Sequence, residues 1–206
     1  MAAPGEKKLQ ILQTLASMLE NPKGEKITTA ALAARLEVSE AALYRHFASK
    51  AQMYEGLIEF IEHSIFGLIN KLSADEASGL KQVESIVSLL LGFAEKNPGM
   101  TRVLTGEALV NEDERLQARI NQLHDRLEAT LRQSLRIAAG EGEVAPTEGT
   151  SAFANLILCF VIGRWHQFSK SGFRRAPSDQ WREQWQLLGL RLGGASSPPT
   201  QLSGAQ

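Results

Sequence analysis

The stretch VSEAALYRHFASK, residues 38–50, has the pattern of a short capped helix with one buried face. Ser39 can act as the N-cap, since a serine hydroxyl accepts a hydrogen bond from the backbone of the first helical turn. Leu43 and Phe47 are four residues apart and therefore share one helix face. The stretch predicts a short helix that packs on neighbouring helices through this face.

The segments before this stretch complete a three-helix unit. Residues 27–36, ITTAALAARL, place Leu32 and Leu36 four apart, with Thr28 or Thr29 available as N-cap, and only the short connection EVS follows. An amphipathic first helix precedes them, with its apolar face formed by Ile11, Leu12, Leu15, Met18 and Leu19. Two short helices joined by a tight turn after a first helix predict a helix-turn-helix domain over residues 1–50.

The outer face of the third helix has the side chains that read DNA. With Leu43 and Phe47 inward, small and polar residues point outward: Ala41, Ala42 and Arg45 on the outer face, and Tyr44 and His46 on its flanks. Small residues let a helix approach base edges closely, and an arginine donates to a guanine in the major groove. Further hydrogen-bond donors for phosphates are available around this face: Thr28, Thr29, Ser39, Tyr44, His46 and Lys50.

The overall charge of the chain does not favour nucleic-acid binding, so a DNA-reading surface must be a local patch. The net charge of the 206 residues is -1 and the pI is about 6.4, so no overall basic field attracts nucleic acid. Residues 1–50 contain seven lysines and arginines and five glutamates, a small positive excess. DNA affinity per subunit is therefore expected to be modest and strongly dependent on salt.

The remaining chain predicts a larger helical domain over residues 51–192, so the whole protein is expected to be all-α. Apolar periodicity predicts six further helices: residues 49–72 with Ser49 and Gln52 as a capping box, 80–96, a short one near 100–110, 112–139, 151–169 and 180–192. The apolar seam of residues 112–139 is narrow, as in a coiled coil, but more typical of a helix inside a bundle. Residues 193–206 are rich in Gly, Ser and Pro and are expected to be disordered.

The helix at 151–169 is apolar nearly all round, which predicts burial on more than one side. Its Cys159 lies in the run LILCFVI, where a free thiol is expected to be a buried small hydrophobe. A single cysteine excludes an internal disulfide and suits a reducing cytosol. Trp181 and Trp185, four residues apart, are interpreted as packing residues.

No pattern indicates catalysis, a cofactor or a metal site. The chain has no glycine-rich phosphate loop, and its four histidines lack metal-ligand spacing: His46, His63, His124 and His166. The N-terminus has no apolar signal core and no run is long enough to span a bilayer. We therefore expect a cytoplasmic protein that is neither an enzyme nor bound to a membrane.

One basic segment, RWHQFSKSGFRR, leaves two interpretations open. It contains five basic side chains: Arg164, His166, Lys170, Arg174 and Arg175. They could form a second nucleic-acid patch. A solvated rim is the preferred interpretation.

Residues 27–62, from ITTAALAARL through VSEAALYRHFASK to LIEFIE, resemble the N-terminal domain of the tetracycline-repressor (TetR) family. This resemblance implies an all-α homodimer whose C-terminal domain dimerises through its last two long helices. Two helix-turn-helix domains then bind the two half-sites of a palindromic DNA duplex, roughly 34 Å apart. The default function in this family is a repressor with a small-molecule inducer pocket in the C-terminal domain.

The C-terminal half resembles a narrower branch of the family, the nucleoid-occlusion factors. The segments that carry this resemblance are LLLGFAEKNPGMTRVLTGEAL (89–109), RLQARINQLHDRLEATLRQ (115–133) and FRRAPSD (173–179), and with the N-terminal match it covers about 9–192. It implies a DNA-binding homodimer that, when bound to palindromes across the nucleoid, contacts the division GTPase FtsZ and antagonises its ring. Assembly into higher-order species on DNA is left open.

The same resemblance implies an FtsZ-binding surface: Phe60, Leu89, Gly92, Lys96 and Asn97. Leu89, Gly92 and Lys96 are spaced at three and four and share a helix face. Phe60 and Leu89 are equally well explained as core residues, and Asn97 before Pro98 as a helix end.

Three departures from this branch are expected to weaken binding. The helix near Asn70 has no arginine, which removes a positive charge from the expected partner surface. The N-terminal arm has only Lys7 and Lys8 as basic residues, and Ala31 stands where a lysine is common.

Overall fold

The computed structural model describes residues 4–21, 27–144 and 149–193, and within these ranges all regular structure is helical. The α-helices are α1 (Pro4–Leu19), α2 (Thr29–Arg35), α3 (Glu40–Tyr44), α4 (Lys50–Asp75), α5 (Gly79–Lys96), α6 (Pro98–Leu104), α7 (Glu114–Gly140), α8 (Thr150–Lys170) and α9 (Trp181–Gly193). A 3₁₀ turn, Glu107–Leu109, lies between α6 and α7. The all-α prediction is confirmed. Most of the tail predicted to be disordered lies outside the described residues, as does the side chain of Leu192.

Local capping explains where α4 begins. The Ser49 hydroxyl accepts a hydrogen bond from the Gln52 amide at 3.2 Å. The Gln52 side chain reaches back and accepts from the Ala48 amide at 2.9 Å, one residue before the usual partner in a capping box. The division predicted between residues 50 and 51 stays a prediction. It lies in the first turn of α4, a helix that packs on both α1 and α5.

The C-terminal bundle is built around α7. Its predicted apolar seam is fully buried against α5 and α8: Leu116, Ile120, Leu123, Leu127, Leu131 and Leu135. Trp165 of α8 is also fully buried and donates from its indole nitrogen to the Leu90 carbonyl of α5 at 3.1 Å. The seam of α7 is thus filled from within the same chain, as expected for a bundle helix.

The tryptophans of α9 are packing residues, as predicted. Trp181 and Trp185 are both buried, and their ring centres are 5.4 Å apart. Trp181 also contacts the Phe160 ring at 5.6 Å between centres and donates to the Ser88 hydroxyl at 2.7 Å. These contacts attach α9 to both α8 and α5.

The expectation that α8 is buried on more than one side is wrong for the single chain, and so is the expectation of a buried Cys159. One side of α8 packs on α5 and α7, with Ile157 and Val161 fully buried. The opposite side faces solvent, because no described element of the same chain covers it: Leu156 is 52% exposed and Cys159 is exposed. This uncovered apolar side is called the α8 outer face below.

Candidate functional site

The turn between α2 and α3 holds the third helix at a defined angle. Glu37 has the left-handed backbone conformation, with a φ of 56°. The Val38 amide donates to the Ala33 carbonyl at 3.0 Å and the Glu37 amide to the Ala34 carbonyl at 3.1 Å. This pair of bonds is a Schellman motif, which ends α2 without leaving its last carbonyls unpaired. These backbone bonds order the start of the turn.

The N-caps of the two helices are those that the sequence indicated. Thr28, rather than Thr29, caps α2 and accepts from the Ala31 amide at 3.1 Å. Ser39 caps α3 and accepts from the Ala42 amide at 3.2 Å. Both hydroxyls act as acceptors in these bonds, so each keeps a hydrogen that can be donated to a phosphate.

Thr29 has a different role. Its hydroxyl donates to the Glu40 carboxylate at 2.6 Å and ties α2 to the first turn of α3. Its hydrogen is therefore not free for a phosphate in this structure. No local pattern indicated this bond, because the two residues are eleven positions apart.

The third helix presents the predicted face. Leu43 and Phe47 are buried, whereas Ala41, Tyr44 and Arg45 are exposed. Two further predicted residues, Ala42 and His46, are half-buried, and they line a hollow with Lys7, Gln10 and Ile11 of α1. Small residues and one arginine therefore lie together on an open helix surface, which suits close approach to a DNA groove.

Lys50 stands apart from the other predicted phosphate donors. Its amino group lies 2.5 Å from the Glu112 carboxylate, which belongs to the turn before α7. It also lies 5.7 Å from the centre of the Tyr54 ring, and burial, with the nearby Glu112 charge, raises the pKa of that buried phenol. In this structure Lys50 joins the helix-turn-helix domain to the C-terminal domain.

The second predicted surface lies on α4 and α5, which pack side by side. Phe60 and Leu89 are half-buried against the core, whereas Lys96 is exposed. Gly92 faces open space, because a Cβ placed on it would meet no atom within 4 Å. Asn97 donates from its side chain to the Phe93 carbonyl at 2.8 Å and ends α5. Gly92 and Lys96 are therefore the accessible members of this set.

Near Asn70, α4 has no arginine, as the sequence shows, but an arginine of another helix lies close by. Arg126 of α7 and Asn70 line one hollow of about 240 Å³ together with Phe66. The guanidinium carbon of Arg126 lies 3.7 Å from the centre of the Phe66 ring, a cation–π contact. The charge comes from a helix distant in sequence.

The basic segment after α8 lines a cleft of about 560 Å³: His166, Gln167, Lys170, Ser171, Arg174 and Arg175. Arg164 does not line this cleft. Its guanidinium donates to the carbonyls of Ala176, Pro177 and Asp179. The described residues contain no group of three or more His, Cys, Asp and Glu side chains arranged to hold a metal. No helix in the described part of the chain is long and apolar enough to cross a membrane.

Comparison with known families agrees with this architecture. Residues 25–57 match the family of bacterial regulatory proteins of the tetR type. Residues 77–193 match the tetracyclin repressor-like C-terminal domain of the SlmA type. Among solved structures, a TetR transcription regulator from Haloarcula marismortui has a TM-score of 0.78 at 13% identity and covers 91% of this chain and 98% of its own. At that identity the likeness shows the fold alone.

Much closer relatives are found by sequence. The nucleoid occlusion factor SlmA of Marinomonas sp. (strain MWYL1) is 48% identical over 91% of this chain and 95% of its own. The SlmA of Alteromonas mediterranea is 51% identical over 87% of this chain and 92% of its own. These matches run through the C-terminal domain as well as the helix-turn-helix. The chain therefore belongs to the TetR family of DNA-binding regulators and, within it, to the SlmA family.

Proposed function

We propose that this protein is a nucleoid occlusion factor: a homodimer that binds palindromic DNA on the nucleoid and, in that state, antagonises assembly of the FtsZ ring. The observation that carries the proposal is the extent of the similarity to SlmA proteins, 46–51% identity over about nine tenths of both chains. A shared helix-turn-helix alone would account only for DNA binding, since residues 25–57 are a small part of the match.

The DNA-reading step is assigned to α3 and the caps around it. Arg45 donates to a guanine, while Ala41 and Ala42 allow the helix to approach the bases. Thr28, Ser39, Tyr44 and His46 donate to phosphates and fix the register on the duplex. Thr29 and Lys50 can also donate to phosphates only if their bonds to Glu40 and Glu112 are broken.

The homodimer is assigned to the α8 outer face and α9. Leu156 is 52% exposed and Leu187 of α9 is 67% exposed, although both are large apolar side chains. A two-fold axis would pair this face with the same face of a second chain and bury the side chains of both. Two α3 helices would then meet successive major-groove half-sites, roughly 34 Å apart.

The FtsZ contact is assigned to the surface of Phe60, Leu89, Gly92, Lys96 and Asn97. The open space above Gly92 supports this assignment, because a helix backbone without a side chain admits a partner chain closely. Lys96 at the end of α5 supplies an exposed positive charge on the same helix face. An acidic segment of the partner would complement it.

Gly92→Asp tests this surface. The added side chain meets no neighbouring atom within 4 Å of its Cβ, so we expect the variant to fold and to bind the palindrome with unchanged affinity. FtsZ binding to the DNA-bound variant, measured by fluorescence anisotropy of the labelled duplex complex, is expected to fall at least tenfold, since the carboxylate blocks the approach and repels acidic groups.

Gly140→Asp is the matched control, because Gly140 also lies in a helix with open space beside it, at the end of α7. It should leave FtsZ binding unchanged. Equal FtsZ binding by the Gly92 variant and the wild type would remove this face of α5 from the partner surface. Leu89 is less suitable for this test, because it packs on the core.

A further inference from the structure

A chain of buried polar contacts connects the end of α1 to α8 through Arg102 of α6. Arg102 is 8% exposed, and its Nη1 donates to the carbonyls of Leu19 and Asn21, each at 3.2 Å. These acceptors are more than eighty positions away in sequence and belong to the end of the first helix of the DNA-reading domain. Arg102 thus ties the two domains together.

The contact with Arg102 supplies hydrogen bonds and a positive charge to the C-terminus of α1. The last carbonyls of a helix have no partner inside the helix, and its C-terminus favours a positive charge. The last turn of α1 contains no basic residue, so the charge comes from α6. One turn earlier on α6, Gly99 lies so close to α1 that a Cβ there would fall 2.0 Å from the Ala16 carbonyl oxygen. Helix α6 therefore holds α1 at two successive points.

The other edge of the Arg102 guanidinium faces Glu107 in the 3₁₀ turn. Nε and Nη2 lie 3.1 and 3.0 Å from one carboxylate oxygen of Glu107. The second oxygen accepts a hydrogen bond from the Ser169 hydroxyl of α8 at 2.5 Å. Burial alone would raise the pKa of Glu107, but the hydrogen bond from Ser169 and the charge of Arg102 outweigh burial and lower it. Glu107 is thus ionised and bridges α6 to α8.

Because α1 is held by Arg102 at one end, a small rotation there displaces the opposite end of the helix. Its opposite end lines the hollow shared with Ala42, Leu43 and His46 of α3 and its exit. Sixteen residues of helix span about 24 Å, so a rotation of about 5° at the anchored end would move the other end by about 2 Å. Base pairs are spaced about 3.4 Å apart, so such a displacement is more than half of one base-pair step.

We propose that the chain Arg102–Glu107–Ser169 is a positioning device that sets the angle between the DNA-reading domain and α8, and thereby the half-site spacing that the dimer accepts. The proposal rests on the proposed function, because it requires α8 to form the dimer face and α3 to read a palindrome. Arg102, Glu107 and Ser169 touch no DNA. They select between palindromes by holding two reading helices at a fixed separation.

Ser169→Ala gives the sharpest test, because it removes the short hydrogen bond from α8 to Glu107 and leaves Arg102 on α1. The contact of α8 with Glu107 that remains in this variant is the long pair of the exposed Lys170, at 3.9 Å. The probe is a palindromic duplex selected by the full-length wild type from random-sequence DNA, together with the same duplex lengthened or shortened by one central base pair. We expect the wild type to lose at least tenfold in affinity on either altered duplex. The variant should lose less than threefold, with unchanged dimer mass.

Ser178→Ala is the matched control, since Ser178 also donates to a glutamate, Glu95, at 2.5 Å but does not connect to α1. It should keep the wild-type preference. Arg102→Met is expected to abolish the preference, whereas Arg115→Met, which removes an exposed pair with Asp113, should not. If Arg102→Met fails to fold, Ser169→Ala alone decides.

Retention of the full spacing preference by the Ser169 variant would overturn the positioning proposal while leaving the proposed function intact. A uniform loss of affinity on all three duplexes would also overturn it, because that result indicates a structural role without control of spacing. Failure of the wild type to select any palindrome would instead contradict the proposed function itself.

Discussion

Replacing Arg45 with alanine is expected to reduce the affinity of the dimer for its palindrome by roughly 30-fold to 10⁴-fold. A bidentate arginine–guanine contact is worth about 1–3 kcal/mol, and a two-fold symmetric complex loses it twice. Arg45 is exposed at the end of α3, so its removal leaves the core of the domain unchanged. Fluorescence anisotropy with the selected palindrome at constant salt measures the loss.

Arg136→Ala serves as the control, because Arg136 is an equally exposed arginine on α7, outside the DNA-reading domain. Light scattering on both variants should give the mass of a dimer. Wild-type affinity in the Arg45 variant would show that another side chain reads the bases, and α3 would no longer be assigned to the major groove.

Replacing Leu156 with glutamate is expected to convert the dimer to a monomer. Burial of one leucine side chain is worth about 1.5–3 kcal/mol, and two-fold symmetry removes this contribution from both chains. The variant must also bury two unpaired carboxylates, which costs more than the lost apolar contact. Palindrome binding should fall with the dimer, because one reading domain contacts only one half-site. Sedimentation velocity gives the mass directly.

The reactivity of Cys159 gives an independent measurement of dimer dissociation. It is the only cysteine of the chain and lies exposed on the α8 outer face of a single chain. A maleimide should therefore react slowly with the wild-type dimer and rapidly with the Leu156 variant. Leu68→Glu is the matched control, because Leu68 is 51% exposed but lies on α4. A Leu156 variant that remains dimeric with an unreactive Cys159 would place the dimer interface elsewhere.

The features that the sequence predicted correctly depend on residues close together in the chain. The caps Ser39 and Ser49 act within three residues, and the burial of Leu43 and Phe47 follows from their spacing of four. Such patterns locate helix starts and the outward face of α3 without knowledge of the tertiary structure. The start of α4 and the face of the reading helix therefore followed from local rules.

The features that the sequence did not reveal depend on distant partners. Lys50 looked like a free phosphate donor, but its carboxylate partner lies 62 positions away. Arg126 brings a positive charge next to Asn70 from another helix. Cys159 looked buried because α8 is apolar all round, although a single chain covers only one side of that helix. In each case the presence or absence of a neighbour is set by how the helices pack.

Sedimentation of GTP-dependent FtsZ polymers measures whether the DNA-bound protein antagonises FtsZ assembly. The polymer pellet would be measured with the protein alone, with the selected palindrome alone, and with both together. We predict a marked decrease in pelleted FtsZ only when protein and palindrome are both present. An unchanged pellet under all three conditions would show that the protein does not antagonise FtsZ assembly. It would favour the alternative function, a repressor that responds to a small ligand.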